Sequence, residues 1–225
     1  MRNLAVVLVS GGMDSAVTLA IAAQKHNIAM LHIDYGQRTE KKERECFRKL
    51  AEHYTAKHKL IVPMEHLKLI GGSSLTDPNI EVPTGLCEQG IPNTYVPFRN
   101  AMLLSIGTAW AEVLKAQYIY IGATEEDAAG YPDCREEFYR AFTKVIETGT
   151  KPETQITICT PVIHMDKTQI VKLGYKLSVP FHLTWSCYIR EDIACGECDS
   201  CLRRLRAFKS ANIKDPIPYI KEGCV

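Results

Sequence analysis

No stretch of the 225 residues approaches the ~20 consecutive apolar residues that a membrane helix needs. The opening residues lack a basic segment, a longer apolar run and a small-residue cleavage site, so no secretory leader is read. Charge of one sign is also lacking: 27 Lys plus Arg stand against 26 Asp plus Glu, a net charge of +1. A protein that grips a phosphate backbone electrostatically carries a basic excess, so direct nucleic-acid binding is not expected. No internal repeat and no low-complexity segment appear. The nine cysteines are an odd and mostly scattered set, a poor disulfide framework. These absences lead us to expect a cytoplasmic globular protein with no membrane contact, and the 46% hydrophobic content supplies a sizeable core.

The pattern that is present alternates strands with helices. Residues 4–9 (LAVVLV) form a continuous apolar run, as a buried parallel strand does. A helix is predicted over 14–25, a strand over 28–33, a long polar helix over 38–57 and a strand over 59–62. Residues 70–97, rich in Gly, Ser, Pro and Asn, read as a long loop of the kind that often serves as a lid. Helices over 100–115, 135–147, 167–177 and 200–209 and strands over 117–121 and 155–159 complete the reading. The expected fold is an α/β, Rossmann-like, doubly wound parallel sheet of five strands. Residues 1–184 are expected to form the main domain and 185–225 a small C-terminal element.

The most informative motif is Ser10-Gly11-Gly12-Met13-Asp14-Ser15, where the first strand turns into the first helix. Two glycines let the backbone bend and approach an anion without a Cβ in the way. The helix N-terminus adds unpaired N–H groups and a partial positive charge, which favour phosphate. No lysine stands where a Walker loop needs one, and no G-x-G-x-x-G is present. Asp14 either caps the helix or holds Mg²⁺ on the phosphates. We expect Val9, Ser10, Gly11, Gly12, Met13, Asp14, Ser15 and Ala16 to frame ATP, with Ile33 and Asp34 at the end of the second strand.

Four cysteines cluster: Cys187, Cys195, Cys198 and Cys201, spaced C-x7-C-x2-C-x2-C. Short C-x2-C spacings let thiolates converge on one tetrahedral ion, so a structural Zn²⁺ is expected. An iron–sulfur cluster is the rival, since C-x2-C-x2-C occurs there too. Cys46, Cys87, Cys134, Cys159 and Cys224 show no partner spacing. The basic stripe Arg203, Arg204, Arg206 and Lys209 reads as a solvated helix face.

The loop S-G-G-x-D-S resembles that of the PP-loop ATP pyrophosphatases, which split ATP between its α and β phosphates. With Tyr35-Gly36-Gln37-Arg38, Tyr95-Val96-Pro97-Phe98-Arg99-Asn100, Tyr131-Pro132-Asp133-Cys134 and Cys195-Gly196-Glu197-Cys198-Asp199-Ser200-Cys201, the chain resembles the 7-cyano-7-deazaguanine synthase family over about residues 4–208. The resemblance implies an ATP-dependent carbon–nitrogen ligase that joins 7-carboxy-7-deazaguanine and ammonia into the 7-cyano base, a precursor of queuosine and archaeosine. It also implies a homodimer. On this reading Asp14, Ser15, Arg99 and Lys167 serve catalysis. Arg99, Tyr131, Asp133 and Glu137, with Asp127 behind them, are candidates for holding the deazapurine. A tRNA-thiolating PP-loop enzyme is the alternative reading.

Overall fold

A computed structural model describes residues 2–87, 90–128 and 130–221, and of residues 127 and 128 the backbone alone. In chain order the elements are β1 (Leu4–Leu8), α1 (Met13–Lys25), β2 (Asn27–Asp34), α2 (Glu40–His53), β3 (His58–Pro63), α3 (His66–Ile70) and α4 (Arg99–Leu114). There follow β4 (Tyr118–Tyr120), α5 (Glu125–Ala128), α6 (Glu136–Gly149), β5 (Thr157–Cys159), α7 (Lys167–Lys176) and α8 (Asp199–Ser210). Short 3-10 turns at Pro132–Cys134 and Phe181–Leu183 join them.

The five strands lie in the order β3-β2-β1-β4-β5, all parallel. β1 takes the centre because its run is apolar on both sides. Val6 and Leu8 enter the core beneath α3, α4 and α6, while Ala5 and Val7 enter the core beneath α1, α2, α7 and α8. The five-stranded doubly wound sheet expected from the alternation is therefore what forms. Strand order reverses between β1 and β4, and the carboxyl ends of strands at such a reversal open a crevice where ligands bind. The S-G-G-M-D-S loop stands at that point.

Two boundaries differ from expectation for identifiable reasons. The second helix begins at Glu40 rather than near residue 38, because Arg38 is drawn away: its guanidinium donates to the carbonyls of Ser74 (2.7 Å), Asp77 (3.0 Å) and Ile80 (2.7 Å). The helix ends at His53 because Thr55 takes a left-handed φ of 47°. The expected long loop is preceded by the one-turn helix α3, and Arg38 fastens its first half as a strap beside the crevice.

Close packing of α7 on α1 depends on Gly174. A Cβ there would stand 2.3 Å from the Phe181 ring and 2.8 Å from Val17. We predict that Gly174→Ala destabilises the protein. The helix-propensity gain of ~1 kcal/mol is outweighed by overpacking costs of about 1–3 kcal/mol. Urea unfolding monitored by circular dichroism checks the sign; an unchanged or raised midpoint would refute it.

Candidate active site and cysteine centre

The phosphate loop is shaped by contacts on three sides. Gly11 has φ +87°, and a Cβ on it would meet the Glu43 carbonyl at 2.9 Å, so the loop rests directly on α2. From the other side the Trp185 N–H donates to the Gly11 carbonyl at 2.9 Å. Within the loop the Gly12 N–H donates to Ser10 Oγ (3.2 Å), Ser15 Oγ donates to the Gly12 carbonyl (3.0 Å), and the two serine hydroxyls lie 3.1 Å apart. Asp14, in the first turn of α1, receives Lys167 Nζ at 2.8 Å from the first turn of α7. Two elements distant in sequence thus place one cation against the loop's acid.

A cavity of about 500 Å³ opens over this loop. Of the residues expected to frame the nucleotide, Val9, Ser10, Gly12, Met13, Asp14, Ser15 and Ile33 line it. Gly11 and Ala16 stand behind the wall, and Ala16 is buried in the core. Asp34 also turns away: it accepts His32 Nε2 at 3.1 Å and Arg44 Nε at 2.8 Å. Burial by itself would raise the Asp34 carboxyl, but His32 and Arg44 outweigh it and hold it below the ordinary value.

Lys167, Arg99 and Tyr131 line the same cavity. Arg99 donates to the Tyr35 hydroxyl at 3.0 Å and lies 5.3 Å from the centre of its ring. Burial pushes the Tyr35 phenol up to about 12, so it stays neutral at physiological pH. Tyr131 shares a 2.9 Å hydrogen bond with Thr94. Asp133 and Glu137 do not line it. Asp133 is buried, its carboxylate accepting the Asn100 N–H at 2.8 Å as a cap for the start of α4. Glu137 is 67% exposed and lies 3.6 Å from Arg135. The side chain of Asp127 lies outside the described residues. Glu43 and Glu126, which no motif singled out, also line the cavity, as do Asp199 of the cysteine motif and Arg203, which is held by Asp199 and the Cys87 carbonyl rather than standing on a solvated face. Glu43 did leave a signal: it is an acid on the buried stripe of α2, three, four and seven positions before Cys46, Phe47 and Leu50.

The four clustered cysteines converge. The Sγ atoms of Cys187, Cys195, Cys198 and Cys201 all lie within 4.8 Å of one another, and Cys195 and Cys201 are 3.8 Å apart. Zn–S bonds of about 2.3 Å in a tetrahedron put sulfurs ~3.8 Å apart, so the donor set fits one such ion. In a four-iron cluster each cysteine holds a separate iron and needs wider spacing. Hydrogen bonds from the Cys198 and Cys201 thiols, with the N–H groups of Cys195 and Ile189, hold the Cys187 thiol well below its usual range. Cys46 packs in the same apolar cluster and Cys87 lies near it, but neither is among the four converging sulfurs, and Cys224 lies outside the described residues.

The cysteine element reaches both walls of the cavity. Thr84 in the strap forms an antiparallel bridge with Cys198, and the Gly85 N–H donates to the Glu197 carbonyl at 2.8 Å. The Cys87 N–H donates to Asp199 at 2.9 Å. Trp185 is 4% exposed and packs among the cysteines, while its backbone pins the phosphate loop.

With this geometry established, comparison with known proteins is decisive. A family model described as "Queuosine biosynthesis protein QueC" matches residues 4–212. The chain belongs to the QueC family. Among QueC relatives, the protein named 7-cyano-7-deazaguanine synthase from Chlorobaculum parvum is 56% identical over 217 residues, covering 96% of either chain. Those of the same name from Chlorobium phaeovibrioides and Chloroherpeton thalassium are 57% and 55% identical, again over 96% of either chain. The NMN synthetase of Francisella tularensis shares the fold at a TM-score of 0.51 and 14% identity, covering 95% of this chain and 78% of that one.

The basic stripe of α8 is only partly solvated. Arg204 is 1% exposed and makes a two-pronged ion pair with Asp215, at 2.8 and 2.9 Å, while donating to Thr184 Oγ1 at 2.8 Å. Tyr219 donates to the same carboxylate at 2.7 Å. This pair clamps the tail over the cysteine element. Removing one partner strands a buried charge, so we predict that Asp215→Ala costs about 3–5 kcal/mol. Chemical unfolding measures it, and a loss below ~1 kcal/mol would show that the clamp is dispensable.

Proposed function

We propose that this chain converts 7-carboxy-7-deazaguanine, ammonia and ATP to 7-cyano-7-deazaguanine, releasing AMP and pyrophosphate. It is a carbon–nitrogen ligase. The observation that carries the reading is the S-G-G-M-D-S loop at the β1/β4 reversal with Lys167 against Asp14, in a chain 55–57% identical to proteins of that name.

The chemistry follows from what the substrate needs. A carboxylate does not accept ammonia until one oxygen becomes a good leaving group. The acid's oxygen attacks the ATP α-phosphorus, the Pα–O–Pβ bond breaks, and pyrophosphate departs. Ammonia then adds to the activated carbon, the C–O bond to AMP breaks, and a proton is released, leaving the amide. A second ATP takes up the amide oxygen in the same way. Loss of AMP and two N–H protons leaves the nitrile. No protein nucleophile is required.

The residues supply position and charge. The Ser10 and Ser15 hydroxyls, the Gly12 backbone and the start of α1 hold the β and γ phosphates. Lys167 neutralises charge building on the departing pyrophosphate. Arg99 clamps the acid's carboxylate, and Tyr131 offers a ring face to the deazapurine. Holding the two reactants in line is worth ~7–11 kcal/mol, and aimed donors add to it. Mg²⁺ with ATP screens phosphate charge, and Asp14 is the acid of the loop that would hold it. Zn²⁺ bound by Cys187, Cys195, Cys198 and Cys201 would fasten an element of residues 185–225 onto a domain of residues 1–184. We place the protein in the cytoplasm as a homodimer, without direct nucleic-acid contact. No helix among the described residues is long and apolar enough to cross a membrane.

Mass spectrometry of the purified protein with Mg-ATP, ammonium and the acid should show the nitrile together with AMP and pyrophosphate. Asp14→Ala should lower turnover by at least about 10²-fold, and Lys167→Met should lower kcat by about 10²–10³-fold. ATP splitting that requires tRNA and a sulfur donor would overturn the substrate. A tight thiol-reactive chelator should release one zinc per chain and lower the melting temperature. Full metal retention in Cys198→Ser would refute the four-thiolate site.

A further inference from the structure

Four carboxylates line the cavity, and three of them are already engaged with cations or loop-fastening donors. Asp14 holds Lys167 at 2.8 Å. Asp199 holds the Cys87 N–H at 2.9 Å and Arg203 at 2.8 Å. Glu126 holds the Lys167 N–H at 3.1 Å and lies 3.6 Å from Arg203. Glu43 is different. Its hydrogen-bond partners are two neutral donors, one per oxygen: Thr39 Oγ1 on Oε1 at 2.8 Å and Gln37 Nε2 on Oε2 at 3.0 Å. A carboxylate oxygen accepts two hydrogen bonds, so each of these keeps an acceptor position.

The placement is deliberate in physical terms. Glu43 lies on the apolar stripe of α2, where an acid is costly unless something completes its hydrogen bonds. Burial raises its carboxyl above the ordinary range. The Tyr35 N–H donates to Gln37 Oε1 at 2.8 Å, which turns the amide nitrogen of Gln37 toward Glu43 and fixes the carboxylate plane. A carboxylate held this way toward a cavity is completed by a ligand that offers two N–H donors side by side.

We infer that Glu43 is a specificity-determining residue for the deazapurine, its two oxygens accepting the ring N–H and the adjacent amino group of the guanine-like edge. The inference rests on the substrate proposed above. Adenine cannot substitute, because its amino group sits beside a ring-nitrogen lone pair that would face a carboxylate oxygen. Glu43 therefore selects the acid and rejects an inverted ATP in the same half of the cavity.

The test measures turnover of wild-type protein and Glu43→Gln on three acids: the parent, an analogue without the 2-amino group, and one methylated at the ring N–H. Wild type should prefer the parent over either analogue by about 10- to 100-fold in kcat/KM. Glu43→Gln should lose most of that preference and raise KM for the parent acid, with KM for ATP within about twofold of wild type. A residue that merely fastens the 35–39 loop would lower activity on all three acids equally and leave the preference intact, which overturns the inference. So does a KM for ATP that rises in step with that for the acid. Should the variant fail to fold, the wild-type comparison decides: a methylated acid that is turned over as well as the parent overturns the inference. Wild-type protein inert toward the parent acid overturns both this reading and the proposed substrate.

Discussion

The hydrogen bond from the Trp185 backbone N–H to the Gly11 carbonyl joins chain segments 174 residues apart at the loop proposed to receive the phosphates. Gly11 can accept it only because the loop lies flat on α2, and it lies flat only because no Cβ separates it from the Glu43 carbonyl. The same segment runs two residues on into Cys187, the first of the four converging thiols. The phosphate loop is therefore gripped between a helix beneath and a cysteine-bound element above. A loop gripped on both sides presents its N–H groups without having to order them when a ligand arrives, which is the condition for preorganised charge stabilisation.

The strap over residues 71–87 depends on the same element. Arg38 secures its beginning through three carbonyls, and the Thr84–Cys198 bridge secures its end. Loop carbonyls away from a sheet need donors, and one guanidinium with five N–H groups is an economical source. A metal bound by the thiols would accordingly stabilise the cavity through Cys187, which lines it, and through Cys198, which bridges to the strap.

Much of this was legible in the sequence, and the residues show why. The β1 run is apolar at every position, which only a strand covered on both faces tolerates, so the doubly wound sheet could be read directly. The S-G-G-M-D-S loop and the C-x2-C-x2-C spacing carry chemistry in consecutive residues, so local pattern sufficed. What could not be read were partnerships across the chain. Asp133 looks like a cavity acid in one dimension, yet it caps α4 through Asn100, 33 residues earlier. Arg204 looks like one cation of a solvated stripe, yet Asp215 and Thr184 bury it. Helix periodicity places a side chain on a face, but only tertiary packing decides what that face meets.

The charged groups at the core's edge sort into two kinds, and the difference separates architecture from ligand binding. Arg204 with Asp215 and Arg44 with Asp34 close on one another: each cation meets a carboxylate, and Tyr219 or His32 adds a further bond to it. Such pairs are complete without a ligand, and they hold the tail and the end of β2. Arg99 and Glu43 line the cavity and hydrogen-bond only to neutral groups, Tyr35 for the cation and Thr39 and Gln37 for the anion, while each feels the charge of nearby groups: Asp133 for Arg99, His32 and Arg99 for Glu43. Desolvating a charge costs several kcal/mol, and neutral partners recover only part of it. A fold that keeps a cation and an anion in one cavity without a direct ion pair between them leaves hydrogen-bonding positions on both for a ligand. The substrate proposed for this cavity, with a carboxylate and adjacent N–H donors, is a molecule of the kind that could fill those positions.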